Sequence, residues 1–219
     1  GADLIRRIKG NDAKVYGVTS HLIMKSDGTK FGKSEGANVW LDPNRTSPYE
    51  FYQFFYNTSD DDVIDFLKRL SLKSVSEIET ITESFKKEPH KRLAQKSLAE
   101  ELTAIVFGEE GLQQAMNITE ALFSGEIKSL SDDEIRQAFA GMTTFDLVNY
   151  GNIVDVLVES KVLPSKREAR QLIEGGAIYV NGEQVKDLDF VIDEDALIAD
   201  ELTIIRRGKK TYFVLRHLD

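Results

Sequence analysis

The stretch LPSKREARQLIEGGAIYVNG at residues 163–182 contains the signals for a helix, its end and a tight turn. Ser165 is typical of a helix N-cap, and Glu168 completes the pattern of a capping box. The glycine pair that follows predicts the end of this helix. The alternating residues after it predict a strand that leads into a hairpin turn at Asn181-Gly182. We therefore predict a short helix packed beside a β-hairpin.

Basic residues cluster at the start of this predicted helix and again further along the chain. Lys166, Arg167 and Arg170 would project from its first turns. Residues 183–201 hold eight acidic residues and one lysine, whereas residues 206–216 hold five basic residues and no acidic one. Such a separation of charge is what a phosphate-binding surface needs, although basic residues on a helix are often only solvated. We therefore predict that this part of the chain contacts nucleic acid.

The same features resemble the S-four-like RNA-binding domain. That family combines a capping Ser, a basic-Glu-Ala-Arg helix, a glycine stop and a Val-Asn-Gly hairpin, and the segment RRGKK at residues 206–210 stands where it has a second basic hairpin. The resemblance implies that the domain recognises RNA mainly by its shape and through contacts to the RNA backbone. The residues it implies are Lys166, Arg167, Arg170, Asn181, Arg207, Lys209 and Lys210.

Composition limits the classes of protein to which the chain can belong. With 219 residues, 41% of them hydrophobic, one or two domains with real cores are expected. The chain has no Cys, which excludes disulfides and thiolate metal sites. It shows neither an apolar run of roughly 18 residues nor a signal-peptide core at GADLIRRIKG, so we expect a cytoplasmic protein without membrane contact. Because the net charge is −9, RNA binding must come from local basic patches.

From residue 47 onward the sequence predicts a series of capped helices. Apolar side chains recur at helical spacing, and such stripes are more typical of a core than of a base-stacking surface. Pro89 and Gly108 predict helix ends. We therefore predict a helical domain over residues 47–145 and a linker over residues 143–152. The four predicted helix starts are Ser47 with Glu50, Ser59 with Asp62, Ser74 with Glu77 and Ser131 with Glu134.

The other charged clusters predict no site of their own. Basic residues at 86–87 and 90–92 flank a proline, and a solvated junction between helices is favoured there over RNA contact. Asp60–Asp62 stand at a helix start, where acids complement the helix dipole. His21, His90 and His217 have no metal-ligand spacing, so we assign no metal site.

Near the N-terminus, residues 15–24 alternate loosely like one or two strands, and a turn at residues 26–28 leads into a polar loop. The loop's GTKFGKS segment invites comparison with a phosphate-binding P-loop. That motif needs four residues between its glycines and this loop has three, so the usual P-loop geometry is not expected. The segment KFGKS at residues 30–34 instead resembles the Lys-Met-Ser-Lys-Ser signature of class I aminoacyl-tRNA synthetases, in which two lysines approach the ATP triphosphate.

The chemistry of amino-acid activation explains why lysines are needed in such a loop. When a carboxylate attacks the α-phosphate of ATP and expels pyrophosphate, negative charge grows on the leaving group, and ammonium groups stabilise it. By the resemblance, Lys30 and Lys33 are catalytic, Gly32 lets the loop close, and Ser34 adds a hydrogen bond to ATP. At residues 31–32, Phe-Gly departs from the Met-Ser of the signature.

The chain contains, in order, the signature-like loop, the helical domain and the S-four-like domain. This order resembles that of the bacterial tyrosyl-tRNA synthetase family over essentially the whole chain. It implies a multidomain α+β protein in three parts: residues 1–46 as the end of a Rossmann-like catalytic domain, residues 47–145 as an α-helical anticodon-binding domain, and residues 146–219 as a linker with a small S-four-like domain of the αL type. The intact enzyme would be a homodimer that activates tyrosine with ATP and Mg²⁺ and transfers it to tRNA(Tyr).

None of the three histidines lies in the His-x-Gly-His motif of class I enzymes. We therefore expect this chain to be a C-terminal portion that alone is a monomer, is inactive in tyrosine activation and binds no cofactor tightly. Two alternatives remain. A non-enzymatic RNA-binding protein could share the S-four-like module, and a small NTPase could use Gly28 to Ser34 as a degenerate P-loop.

Overall fold

The structure is a computed structural model that describes residues 1–32, 39–147, 149–208 and 211–218. It separates into two compact units, Gly1–Asn38 and Val39–Asp219. No helix in the described part is long and apolar enough to cross a bilayer.

The first unit begins with helix α1 (Ala2–Lys9), which ends at Gly10, where φ is 93°. The strands predicted within residues 15–24 are not formed, since the one β-bridge among the described residues of this unit joins Met24 to Lys30. A strand needs a hydrogen-bonded neighbour, and alternation of side chains alone does not supply one. The predicted turn at residues 26–28 is confirmed, because Gly28 adopts a φ of 82° and its N–H donates to the Lys25 carbonyl at 3.0 Å.

Helices dominate the first part of the second unit. They are α2 (Pro48–Tyr56), α3 (Asp60–Leu70), α4 (Val75–Lys87), α5 (Leu93–Ser124) and α6 (Asp132–Phe139), with short 3-10 turns at Pro89–Lys91 and Ile127–Ser129. Helices α2, α3 and α4 pack against α5. The core they enclose contains the predicted apolar stripes, with Phe51, Phe55, Phe66 and Leu67 buried.

The four predicted serine caps are all present. Ser47, Ser74 and Ser131 form full capping boxes, in which the serine accepts from the N–H of the third helical residue and the Glu there accepts from the serine N–H. Ser59 accepts from the Asp62 N–H. Because these bonds satisfy N–H groups that a helix start leaves without partners, they explain why each helix begins where it does.

Helix α5 is bent where the sequence predicts a helix end. At Gly108, φ is 75° and ψ is 177°, a conformation that only glycine adopts at low cost. Pro89 likewise follows the end of α4, as predicted. The helix end predicted at Gly108 is therefore confirmed, because α5 consists of two helices that meet at this residue.

The second part of this unit is a mixed sheet with two helices. The helices are α7 (Ile153–Glu159) and α8 (Lys166–Glu174). The strands are β1 (Thr144–Leu147), β2 (Gly151–Asn152), β3 (Ile178–Val180), β4 (Glu183–Val185), β5 (Val191–Ile192), β6 (Leu202–Arg207) and β7 (Thr211–His217). Five of them form one sheet in the order β1-β7-β6-β3-β4, and β2 pairs with β5.

The five-stranded sheet has apolar residues on both faces. One face packs against α7 and α8, with Ile178, Ile205 and Leu215 fully buried there. The other face packs against the end of α5 and against α6, with Ile204 and Val214 buried. The sheet therefore lies between two helical layers.

The segment predicted as a linker takes part in this sheet. Residues 144–147 form β1, which runs parallel to β7, and Thr144 pairs with Val214. Leu147 is buried in the core on the α7 side. Local composition suggested a linker because the segment contains Gly, Asn and Asp, whereas the strand is stabilised by a neighbour about 70 residues away in sequence.

Candidate nucleic-acid interface

Helix α8 is the centre of the candidate interface. Ser165 caps it by accepting from the Glu168 N–H at 3.2 Å, which is half of the predicted capping box. Ala169 and Ile173 are fully buried against the sheet and anchor the opposite side of the helix. The helix ends at Gly175, and Gly176 follows with a φ of 67°. The predicted start, buried side and stop of this helix are all confirmed.

The three basic residues of α8 have different surroundings. Arg167 and Arg170 are exposed, and no ion pair or hydrogen bond to either side chain is found among the described residues. Lys166 is also exposed, but its Nζ lies 2.6 Å from Asp155 Oδ1 on α7. The two arginines are therefore available to a phosphate, whereas Lys166 shares its charge with an acid. No sequence signal predicts this pair, because residues 155 and 166 lie on different helices.

The Asn181-Gly182 turn forms as predicted, with φ values of 49° and 90° at its two central residues. The Asn181 side chain, however, is only 3% exposed. Its amide nitrogen donates to the Ala196 carbonyl at 2.7 Å, and its amide oxygen accepts from the Ile204 N–H at 2.8 Å. Both polar ends of this side chain therefore have partners inside the protein, and the expected RNA contact at Asn181, which rests on close approach of the Asn181-Gly182 backbone, stays a prediction.

The basic hairpin at residues 206–210 joins β6 and β7. Arg207 is half-buried, lies opposite Ile178 and has its guanidinium 5.6 Å from the centre of the Phe213 ring. Residues opposite each other on paired strands point to the same face, so Arg207 lies on the face that α7 and α8 cover. Lys209 and Lys210, which the sequence also assigns to RNA binding, lie outside the described residues.

Arg206 was not among the predicted contacts, and it lies on the opposite face of the sheet. Its guanidinium stacks 3.7 Å above the ring of Tyr179, the residue opposite it on β3. A cation held over an aromatic face is stabilised electrostatically. Only the register of β3 against β6 places these two side chains together.

Part of the predicted ATP-binding loop can be placed. Lys30 is exposed and belongs to the bridge with Met24, and Gly32 has a φ of 75°, a backbone conformation that favours glycine. Lys33 and Ser34 lie outside the described residues. At the preceding turn, hydrogen bonds from the Thr29 hydroxyl and N–H lower the pKa of Asp27.

The second basic cluster, at residues 86–92, has partners within the protein. Arg92 donates to the backbone carbonyls of Tyr56 and Thr58, at 2.6 and 3.3 Å. Lys91 pairs with Glu88 at 2.8 Å. These contacts agree with the interpretation of this cluster as a junction between helices. Among the described residues, no three His or carboxylate side chains are grouped so that they could hold a metal ion.

Two protein families match successive parts of the chain. The family described as tRNA synthetases class I (W and Y) matches residues 1–124, and the family described as the tyrosine–tRNA ligase SYY-like C-terminal domain matches residues 134–215. The solution structure of a tyrosyl-tRNA synthetase C-terminal domain is 40% identical, with 45% of this chain and 100% of that chain covered and a TM-score of 0.37.

Curated relatives extend over nearly the whole chain. The tyrosine–tRNA ligase of Lactobacillus johnsonii is 51% identical over 217 residues, and that of Listeria monocytogenes is 48% identical over 218. Each alignment covers 99% of this chain and 52% of the relative, so the chain spans about half the length of the relatives it matches. Because the first family matches 124 of the 219 residues, the chain belongs to the class I tRNA synthetases (W and Y).

Proposed function

We propose that this chain is the tRNA-binding portion of a tyrosyl-tRNA synthetase, and that the whole protein activates tyrosine with ATP and transfers it to tRNA(Tyr). Residues 1–46 would be the end of a Rossmann-like catalytic domain, residues 47–145 the anticodon-binding domain, and residues 146–219 the S-four-like domain of the αL type. The two latter parts would hold the anticodon arm, and the S-four-like part would also reach the variable arm.

The observation that supports this proposal most strongly is the position of Arg167 and Arg170. Both extend from the first turns of a capped helix whose other side is fixed in the core, and neither has an ion-pair partner among the described residues. A guanidinium offers several N–H donors in a fixed plane, which suits phosphate oxygens. The chain as a whole carries a charge of −9, so a local group of this kind is what attracts RNA.

The remaining predicted contacts extend this surface. We propose that Arg207 together with Lys209 and Lys210 binds phosphates from the β6–β7 hairpin, and that Lys166 contributes when RNA competes with Asp155 for its ammonium group. The Asn181 side chain is left out of the proposed contacts because it is buried and hydrogen-bonded at both its amide nitrogen and its amide oxygen.

For the activation step we propose that Lys30 and Lys33 stabilise the charge that grows on pyrophosphate as the tyrosine carboxylate attacks the α-phosphate. Gly32 would let the loop close, and Ser34 would donate a hydrogen bond to ATP, with Mg²⁺ arriving as part of the nucleotide substrate. The 219 residues contain no His-x-Gly-His motif. We therefore propose that this chain alone forms no tyrosyl-adenylate, and normal turnover in an adenylate-forming assay would contradict this.

The test of the RNA proposal is a salt series of binding to tRNA(Tyr) and to one unrelated tRNA. The double variant R167A/R170A should bind tRNA(Tyr) more weakly, with a salt slope smaller by about 1 unit or slightly less for each phosphate that is no longer neutralised. The control K86A/K87A removes the same charge from exposed lysines at the end of α4 and should change binding less. A larger loss of affinity in K86A/K87A than in R167A/R170A would place the RNA site in the helical part. Absence of tRNA binding by the unaltered chain would refute the proposal.

We further propose that the whole protein is a cytoplasmic homodimer and that the 219-residue chain is a monomer, as the family resemblance implies. Sedimentation equilibrium of the chain distinguishes the two states. A stable dimer of the 219-residue chain would contradict this assignment.

A further inference from the structure

Asn181 is the one asparagine in the sequence that is followed directly by glycine. In such a pair the backbone nitrogen of the glycine is able to attack the amide carbon of the asparagine side chain, because glycine has no Cβ atom to shield that nitrogen. Reactions of this kind place asparagine among the thermolabile residues. The proposed RNA contacts do not use the Asn181 side chain, so its amide is free to have a chemistry of its own.

The Asn181 side chain is held at both ends by backbone groups of the C-terminal sheet. Its Oδ1 accepts from the Ile204 N–H at 2.8 Å, and its Nδ2 donates to the Ala196 carbonyl at 2.7 Å. The Asn181 N–H donates to the Ile204 carbonyl at 2.8 Å, so Asn181 binds both backbone polar groups of Ile204. The residue is 3% exposed and connects its own turn to β6 and to the 3-10 turn at Glu194–Ala196.

Deamidation of Asn181 is incompatible with these hydrogen bonds. When the Gly182 nitrogen bonds to Asn181 Cγ, that carbon becomes tetrahedral, so Oδ1 and Nδ2 cannot both keep the planar positions that bind Ile204 and Ala196. The bond from Cγ to Nδ2 then breaks, and Nδ2 leaves as ammonia with the amide proton of Gly182. Water opens the resulting five-membered succinimide. Attack of water at Cγ gives aspartate, and attack at the backbone carbonyl carbon gives isoaspartate.

We propose that Asn181 is a deamidation site that the folded C-terminal sheet protects, and that it reacts when β6 and the turn at Glu194–Ala196 open locally. While the sheet is closed, reaction would leave buried backbone groups without partners, and this cost opposes it. The rate therefore follows the small population in which this part of the sheet is open. Water is the only co-reactant that the site needs.

The product would not fit the folded sheet. An aspartate at residue 181 has no N–H to donate to the Ala196 carbonyl, and its carboxylate would place a charge at a buried position. Isoaspartate adds one atom to the main chain inside the two-residue turn that sets the pairing of Val180 with Glu183, and so disturbs the register of β3 against β4. Either product therefore favours the open state of this part of the chain.

Peptide mapping by mass spectrometry during incubation tests the proposal on the unaltered chain. The folded chain, the chain in guanidinium chloride and a synthetic peptide of residues 177–186 are incubated side by side, the peptide with and without denaturant. Asn181 should deamidate at similar rates in the peptide and the denatured chain, and slower by on the order of tenfold or more in the folded chain. Equal rates in the folded and denatured chains would refute the protection, and no reaction in the denatured chain would refute the site.

Asn152 provides a control within the same digest. Its side chain is bound in the same manner, since Nδ2 donates to the Leu188 carbonyl at 2.7 Å and Oδ1 accepts from the Val154 N–H at 2.9 Å. It is followed by Ile153, however, whose β-branched side chain hinders approach to the attacking nitrogen. In the denatured chain Asn181 should react well before Asn152. Equal rates at the two positions would overturn the assignment of Asn181.

The variant Asn181→Asp reproduces one product of the reaction, and Asn152→Asp is its matched control. Asn181→Asp should unfold at a clearly lower urea concentration than the unaltered chain, because it buries a charge and loses a hydrogen-bond donor. In Asn152→Asp the carboxylate stands at the N-cap of α7 and still accepts from a backbone N–H, so the shift should be smaller. Failure of Asn181→Asp to fold would agree with the proposal, whereas a stability equal to that of the unaltered chain would overturn the predicted effect of the product.

The consequence for RNA rests on the proposed function. Asn181→Asp should bind tRNA(Tyr) on the order of tenfold more weakly than Asn152→Asp, because the opened sheet that supports Arg167 and Arg170 must be ordered again on RNA. Equal affinities of these two variants, which carry the same net charge, would show that this consequence is wrong. If the unaltered chain binds no tRNA, the proposed function fails, while the deamidation rates still decide whether Asn181 is a protected site.

Discussion

The ammonium nitrogen of Lys166 lies 2.6 Å from Oδ1 of Asp155, so the first basic residue of α8 faces an acid on α7. Both side chains are about half exposed, at 54% and 46%. Exposed pairs of this kind stabilise a protein by about 0 to 1 kcal/mol. The main effect of the pair is therefore on the charge presented to RNA, where Asp155 offsets one of the three positive charges of α8.

Replacing this acid should strengthen RNA binding. In Asp155→Asn the Lys166 ammonium loses its competing partner, and we expect severalfold tighter binding of tRNA(Tyr) at low salt, with the gain reduced at high salt by screening. Electrophoretic mobility shifts at two salt concentrations measure this. The control Asp146→Asn breaks an equally short pair, with Arg216 at 2.6 Å, away from α8. Equal gains in the two variants would indicate only a general effect of net charge.

The cap of α8 should be needed for stability and for RNA binding. Ser165→Ala removes the acceptor of the Glu168 N–H, and loss of such a cap costs about 1 kcal/mol in unfolding free energy. Because the cap sets the first turn, from which Arg167 projects, tRNA affinity should fall as well. Ser59→Ala on α3 loses a comparable cap, since Ser59 accepts from the Asp62 N–H, and serves as the control. Urea denaturation and tRNA binding of both proteins should show similar stability losses but different affinity losses.

The lysines of the β6–β7 hairpin should contribute through charge alone. K209A/K210A should weaken tRNA binding and lower the salt slope by about 1 unit or slightly less for each phosphate that these lysines neutralise. The measurement is a fluorescence-anisotropy titration across a salt series. Affinity at low salt equal to that of the unaltered chain would exclude these two lysines from the interface.

His217 should make stability depend on pH. Its Nε2 lies 2.9 Å from Thr203 Oγ1, and since the Thr203 hydroxyl donates to the Ala196 carbonyl, Nε2 must be the donor to Thr203. Burial lowers the pKa of His217 below its usual value of 6.5. Protons therefore bind more readily to the unfolded chain, so the stability that this group contributes is present above pH 6.5 and is lost as the pH falls through the folded-state pKa.

The measurement is the unfolding free energy of the chain between pH 5 and pH 8, compared with that of His217→Gln, in which the pH dependence should be weaker. His90→Gln, which also removes one histidine but at an exposed position, is the control variant. A steeper dependence in His217→Gln would mean that the direction of the pKa shift is wrong.

The sequence by itself determined the features that depend on a few neighbouring residues. The serine caps of α2, α3, α4 and α6, the bend at Gly108 and the glycine stop after α8 are formed by bonds or backbone angles within one turn. The hairpin turn at Asn181-Gly182 is local in the same sense, because both residues tolerate positive φ. Such signals need no knowledge of the fold.

Only the tertiary structure decided which of these local elements face outward. It buried the Asn181 amide between Ala196 and Ile204, paired Lys166 with Asp155, and placed the predicted linker as a strand beside β7. Conversely, the alternation at residues 15–24 produced no strand among the described residues, since pairing needs a partner that local pattern does not specify. Long-range contacts depend on register and on which faces meet, and these follow from how all the elements pack together rather than from any single stretch.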